Sequence, residues 1–255
     1  MKPLVFLFAA ISILLAGCSK TAENIPVQES GIISGTIKIY DDKTNAFTNA
    51  SGVTVTIIGD QDKIAVTAAD GKFSIAGLPY DNYDLSFSKT GYGTFKIFGL
   101  EHQKQPNTPA GAVSTTQISR VINLGAVSTS TITSLNAIDA NFNGVPGIEY
   151  TYSIFPVPGS SNRGYTRAFL GKNKTISPNN YDAASEIKSV ISNNAIGGFT
   201  AEDLYGLGFN SGDSVYVKIY GESFYSNEYT DPATGKRIFP NLNAISAEAV
   251  GFKVP

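Results

Sequence analysis

The chain has 255 residues, a formal net charge of -2, 16% charged residues, one Cys and one His. A balance this close to neutral offers no basic stripe to release counterions from a phosphate backbone, which excludes nucleic acid as a partner. One Cys excludes an intramolecular disulfide, and a single His and Cys argue against clustered zinc ligands and against Ser-His or Cys-His catalysis. Plentiful Gly and Pro, with Tyr and Phe supplying the bulk, favour short strands joined by turns.

Met1, Lys2 and Pro3 make a short positive start, Leu4 to Leu15 is nearly all apolar, and Ala16 and Gly17 are small. That layout predicts a secretory leader over 1–17, because a stretch of about twelve residues is too short to span about 30 Å of hydrocarbon as a helix. Leu15-Ala16-Gly17-Cys18 resembles the lipobox of bacterial lipoproteins at all four positions. The resemblance implies cleavage before Cys18, diacylglycerol on its thiol and acylation of the new amine, so that the membrane is a partner through lipid and is not spanned. Ser19 rather than Asp follows, which under the sorting rule of enteric lipoproteins implies the outer membrane, with periplasmic and surface-facing display both open. Residues 18–30 read as a polar, lipidated tether.

Strand patterns begin at Ile33. Ile33, Gly35, Ile37 and Ile39 alternate with polar residues, as do Val53, Val55 and Ile57, and a period of two means that one face is buried. Asp70-Gly71, between Ile64 to Thr67 and the alternating Phe73 and Ile75, predicts a hairpin turn. Tyr83, Leu85 and Phe87 alternate next, and Tyr92 to Phe98 reads as a further strand. The segments Gly31-Ile32-Ile33-Ser34-Gly35-Thr36-Ile37, Thr67-Ala68-Ala69-Asp70-Gly71-Lys72-Phe73, Gly77-Leu78-Pro79 and Lys89-Thr90-Gly91-Tyr92 resemble the carboxypeptidase regulatory-like, transthyretin-like β-sandwich. The resemblance covers 31–127 and implies a non-catalytic module used as spacer, stabiliser or binding surface.

Residues from Glu101 to Thr116 carry Gln, Pro, Asn and Gly without an apolar pattern and predict an exposed loop holding His102, and a strand from Ile118 to Val127 closes the first unit. The remainder, 128–255, alternates at Ile148 to Ile154 and at Val215 to Tyr220, has a further strand segment from Tyr165 to Leu170, and ends on a strand within Ala247 to Val254. This is similar to an immunoglobulin or fibronectin type III sandwich, although Val215 stands where a fibronectin corner Tyr is expected. Ala184, Ile187, Val190 and Ile191 fit a helix or a short strand. Thr200-Ala201-Glu202-Asp203 predicts a capped helix turn. The fold class expected is all-β, with two consecutive sandwiches after leader and tether.

Asp139, Asn141, Asn143 and Gly144 imitate the start of a calcium loop, but Tyr150 stands where its closing acid belongs. A polar turn explains the stretch better, so neither a metal nor another cofactor is expected. Tyr216, Tyr220, Phe224, Tyr225 and Tyr229 form a ring-rich tail, and outward rings would stack on sugars or anchor a protein unless a neighbouring element covers them. Asp231 to Lys236 predicts the turn of a long hairpin. No residue is nominated as catalytic. The expected role is a non-enzymatic accessory lipoprotein binding a protein or glycan at the envelope, with a carboxylate-dependent glycosidase or a purely structural spacer as alternatives.

Overall fold

The structure, a computed structural model, describes residues 29–109 and 111–255. The leader, Cys18 and most of the tether lie outside the described residues. Among the described residues the fold is nearly all β, and no helix is long and apolar enough to cross a membrane.

The first eight strands are β1 (Ser30–Tyr40), β2 (Thr54–Ile57), β3 (Asp60–Val66), β4 (Lys72–Pro79), β5 (Asp81–Ser88), β6 (Phe95–His102), β7 (Thr115–Gln117) and β8 (Ile122–Gly125). They form two sheets. β1 pairs antiparallel with β4 and parallel with β7 and β8, and the second sheet runs β3-β2-β5-β6. The alternation along β1 buries Ile33, Ile37 and Ile39, which meet Val55, Leu85 and Phe87 from the facing sheet in one continuous apolar cluster. Several of these side chains are fully buried, each stabilising the fold by about 1.5–3 kcal/mol.

Three expectations change here. Asp70 and Gly71 do make a turn, with Gly71 at φ 77° and its N–H donating to Ala68 O. The turn joins no hairpin, however, because β3 pairs with β2 and β4 with β1, so the chain crosses between sheets. Thr67 fixes that crossing: its hydroxyl donates to Ala50 O at 2.6 Å and accepts from Val53 N at 3.0 Å. The closing strand is shorter than Ile118 to Val127, being β8 alone, and it lies parallel to β1. His102 is the last residue of β6 and fully buried, not a loop residue. It fits because Gly31 opposes it: a Cβ there would stand 2.7 Å from the imidazole.

The later strands are β9 (Thr131–Phe142), β10 (Val145–Phe155), β11 (Gly164–Gly171), β12 (Ala183–Ala184), β13 (Lys188–Val190) and β14 (Asn194–Thr200), then helix α1 (Ala201–Gly206), then β15 (Ser214–Glu222), β16 (Tyr229–Thr230), β17 (Arg237–Ile238) and β18 (Val250–Lys253). One sheet is β14-β10-β9. The other centres on β11, with β12 and β13 on one side and β15 then β18 on the other. Ile132, Tyr150, Tyr152 and Ile154 pack between these sheets against Ala168, Val217 and Ile219. The stretch from Ala184 to Ile191 takes the strand alternative, and α1 carries the expected box, Thr200 Oγ1 accepting from Asp203 N while Asp203 Oδ2 accepts from Thr200 N.

All of β11 is buried on both faces, because the segment after β15 folds back over its outer side. Phe239 from that segment, with partly buried Leu242 and Ala249, closes a further cluster with Phe169, Ile176 and Tyr220. The expected hairpin within it exists but is short, β16 pairing with β17 over two residues a side.

Candidate functional site

The returning segment also binds the two groups of sheets together. Asn227 Oδ1 accepts from Gly125 N at 2.8 Å and its Nδ2 donates to Asn123 O at 2.7 Å. Asn241 Nδ2 donates to Gly125 O at 2.7 Å and to Ala126 O at 3.1 Å. Across the same junction the buried Asp42 carboxylate accepts from Thr129 N, Thr129 Oγ1 and Lys43 Nζ, at 2.8, 2.7 and 3.1 Å. The approach is close enough that a Cβ on Gly93 would stand 2.1 Å from Asn241 Oδ1. Two sandwiches joined by backbone–amide bonds of this kind have little freedom to hinge.

The five rings of the tail do not share one exposed face. Tyr220 is buried in the outer cluster of β11 and β15, and Tyr216 packs partly buried against it. Tyr229 pairs with Phe98 of the first unit at 5.9 Å. Phe224 and Tyr225 fall into a ladder that crosses the junction: Tyr40 to Tyr225 at 4.1 Å, Tyr225 to Phe224 at 4.9 Å, and Phe224 to Tyr165 at 5.3 Å. Of the five, Phe224 is the one left substantially exposed, at 44%. Strand phase marks Tyr216 and Tyr220 as outward and is right about direction. It carries no information on the segment that covers them.

Beside this ladder lies a cleft of about 250 Å³, lined by Lys43, Thr44 and Asn45 from one unit and by residues 160–163 and Tyr165 from the other. Its walls are amide, hydroxyl and cationic groups. The Lys43 charge is matched by Asp42, whereas Arg163, which donates to Ser189 Oγ at 3.3 Å, makes no salt bridge among the described residues. Asp41 forms the floor of the loop that carries Asn45. Burial raises its carboxyl, but the Asn45 side chain and the backbone N–H groups of Asn45, Lys43 and Thr44 outweigh that and hold it below the ordinary range. The loop is therefore anchored by an ionised carboxylate at neutral pH.

A second cleft, of about 420 Å³, opens at the tether end beside Tyr80, Asp81, Glu101 and Lys104. His102 lies in its wall, with Nδ1 2.7 Å from Thr116 Oγ1 and Nε2 3.3 Å from Leu78 O. The carbonyl fixes the Nε2–H tautomer, Nδ1 accepting from the Thr116 hydroxyl. Burial pushes the imidazole below its ordinary pKa, which keeps it neutral, and both nitrogens are occupied by the fold.

The calcium-like stretch is a hairpin turn. Asn143 and Gly144, at φ 54° and 94°, are its two central residues, and Asn141 Oδ1 is spent accepting from Gly144 N at 2.6 Å. Among the described residues there is no group of three or more His, Cys, Asp or Glu placed to hold a metal.

One cluster has no counterpart in the sequence reading. Arg167 on β11 is 1% exposed and its Nε donates to Glu222 Oε2 at 3.1 Å, while a terminal nitrogen donates to Glu228 at 2.7 Å. Arg237 also reaches Glu228 at 2.8 Å, and Phe239 lies 4.5 Å from the Arg167 guanidinium and 5.3 Å from that of Arg237. Burial drives the Glu222 carboxyl up to about 7, against the opposing pull of Ser223 N–H and Arg167. Glu222 is fully sealed from solvent, so no sugar enters between these two acids. The signal in the sequence is an Arg directly before the apolar Ala168-Phe169-Leu170 in a strand segment.

No protein-family model and no curated protein matches the chain. Among solved structures, a DUF3823 family protein from Parabacteroides merdae aligns at 10% identity over 88% of this chain and 99% of that one, with a TM-score of 0.31. A candidate carbohydrate-binding protein from Bacteroides uniformis aligns at 13% over the same shares, also at 0.31. A cohesin–X-dockerin complex from Acetivibrio cellulolyticus aligns at 25% over 38% of this chain, which spans only 59% of that one, at 0.30. Superpositions this loose carry no argument about ancestry or role.

Proposed function

We propose that the chain is a non-enzymatic envelope lipoprotein, cleaved before Cys18, acylated there and held at the outer membrane, that presents two sandwich modules, 31–127 and 128–255, to a protein or glycan partner. In this reading the first unit keeps the likeness to carboxypeptidase regulatory-like modules, and the second the looser likeness to immunoglobulin-type sandwiches. The observation that carries the proposal is the hydrogen-bonded junction, which makes the two modules one stiff body. Its direction supports the role. The tether end lies where Lys104 meets Glu29 at the surface, and the eleven residues of β1 lead from there to the junction, about 35 Å at strand rise. The first unit thus acts as a stand-off and the second faces away from the anchor.

Fractionation of cells carrying the natural chain and Cys18→Ser tests the anchor: the natural protein goes to the outer-membrane fraction with a mass increment for acyl chains, and the variant is released. An unmodified thiol in the purified natural protein overturns the reading.

A further inference from the structure

We propose that the free edge of β9 pairs with the same edge of a second copy of this chain, antiparallel about a twofold axis at Ile138, so that two three-stranded sheets join into one of six strands. The pairing involves the second unit alone and does not depend on lipid at Cys18. Three observations converge on it.

The first is the edge itself. At twelve residues β9 is the longest strand among the described residues, and it pairs on one side only, with β10. The Thr131 and Thr133 hydroxyls reach back to β10, and among the described residues no hydrogen bond reaches the other side of the strand. Alternate N–H and C=O groups therefore face water in a row, and what matches such a row is another extended main chain.

The second is how the other edges are treated. Lys63 donates to Gly77 O of β4 at 3.0 Å, Lys188 donates to Ile196 O of β14, and Lys253 on the short β18 donates to Gly212 O at 3.3 Å. The edge strand β3 carries Asp60, Asp62 and Lys63. Charges, above all ammonium groups, discourage the addition of a strand. β9 has no Lys, Arg, Pro or Gly, and its one charge is Asp139. The molecule guards these other edges and leaves this one open.

The third is self-complementarity. Ser134 faces Ser153 and Ile132 faces Ile154, so Thr133 is a bulge and the regular part of β9 runs from Ser134 to Phe142. Its midpoint is Ile138, which lies opposite Glu149 on the outward face and is 52% exposed. An axis there sets Ile138 against Ile138 of the second copy and takes both from water. It also places Asp139 opposite the small Ala137 of the second copy, so that no like charges face each other directly. A strand from another protein would meet the same backbone row, and the fit of Ile138 and Asp139 is what singles out a second copy. Two copies then suffice, because the pair uses both open edges and the outer strands of the joined sheet are the two copies of β14, each closed by Lys188.

Sedimentation equilibrium of the full natural chain in density-matched detergent is expected to give twice the protein mass. Ile138→Lys sets two ammonium groups face to face at the axis and removes the apolar contact, and should raise the dissociation constant about tenfold or more. Ile196→Lys, at a comparably exposed position on β14, should leave it unchanged. An unchanged circular dichroism spectrum shows that each variant is folded. In a Cys18→Ser background, Ile138→Cys supplies the chain's one thiol, and mild oxidation is expected to link two copies, since directly opposed Cβ atoms lie within reach of a disulfide. Asn136→Cys, which this register places opposite Ala140 of the second copy, should stay unlinked. Should Ile138→Lys fail to fold, the two Cys variants decide alone. A single protein mass at every concentration, a dimer indifferent to Ile138→Lys, or linkage through position 136 in preference to 138 each overturns the pairing. None of these outcomes bears on the anchor, which fractionation of Cys18→Ser judges separately.

Discussion

The two sandwiches solve the same burial problem differently. The first closes around one apolar cluster in which the sheets cover each other and the outer faces meet water. The second divides its interior into three clusters and adds a layer, because residues after β15 return across the outer face of β11. A strand buried on both sides must either be apolar throughout or supply partners for what is polar, and β11 does the latter through Arg167. The added layer is also what docks on the first unit. The second sandwich thus lays the element that joins the molecule together over its buried charges, Arg167 on β11 and Glu222 on β15.

The sharpest way to break this comparison is to remove the cation. Arg167→Met leaves Glu222 buried beside an apolar side chain and Glu228 short of one partner, and should cost about 3–5 kcal/mol by urea denaturation. A loss below 1 kcal/mol would mean that the returning layer holds without its charges.

Titration should separate the two units next. Glu222 sits at about 7 in the folded chain and near 4.5 when unfolded. As pH rises, the unfolded chain therefore gives up this proton first, and stability falls between about 4.5 and 7 and levels off above. The full shift corresponds to a loss on the order of 3 kcal/mol. Arg167 keeps Glu228 as a counter-charge while Glu222 is protonated. Glu222→Gln keeps an acceptor for Arg167 Nε, so the fall that Glu222 imposes on the natural chain should be absent, leaving the gentle rise with pH that comes from His102, whose imidazole burial lowers. Parallel declines in both proteins would locate the titration elsewhere.

The first unit was the more legible of the two for the same physical reason. Alternation reports which face of a strand is apolar, and where one sheet simply covers another that is enough to find the core: Ile33, Ile37, Val55, Leu85 and Phe87 are all readable as inward. Pairing is less readable. Asp70-Gly71 has the local chemistry of a hairpin, but whether the strands on either side pair depends on Thr67 and Ala50, distant in sequence from β1, with which β4 does pair. In the second unit, Tyr216 and Tyr220 are outward by phase, and their cover comes from a segment with almost no regular structure, which no period announces. The cleft was illegible altogether, since residues 43–45 and 160–163 meet only because the junction brings two units together.

The junction itself gives the next prediction. Asn241→Ala removes two hydrogen bonds to buried carbonyls and should cost about 2 kcal/mol, moderated because Asn241 Oδ1 is itself buried without a partner. The more telling readout is cooperativity: the natural chain should unfold in one transition and the variant in two, seen as non-coincident heat absorption and tyrosine fluorescence.

The smallest effect then becomes the most discriminating. Thr200 caps α1, and its loss in Thr200→Ala should cost about 1 kcal/mol, while Thr200→Ser, which keeps the oxygen, should cost much less. Helix α1 packs through Leu204 into a cluster that belongs to the second unit alone. With the junction intact, the lost cap should lower the single shared transition. In the Asn241→Ala background it should lower one transition and leave the other in place. If both fall together there, the sandwiches are coupled by something other than Asn241, and the ladder from Tyr40 to Tyr165 is the next contact to cut.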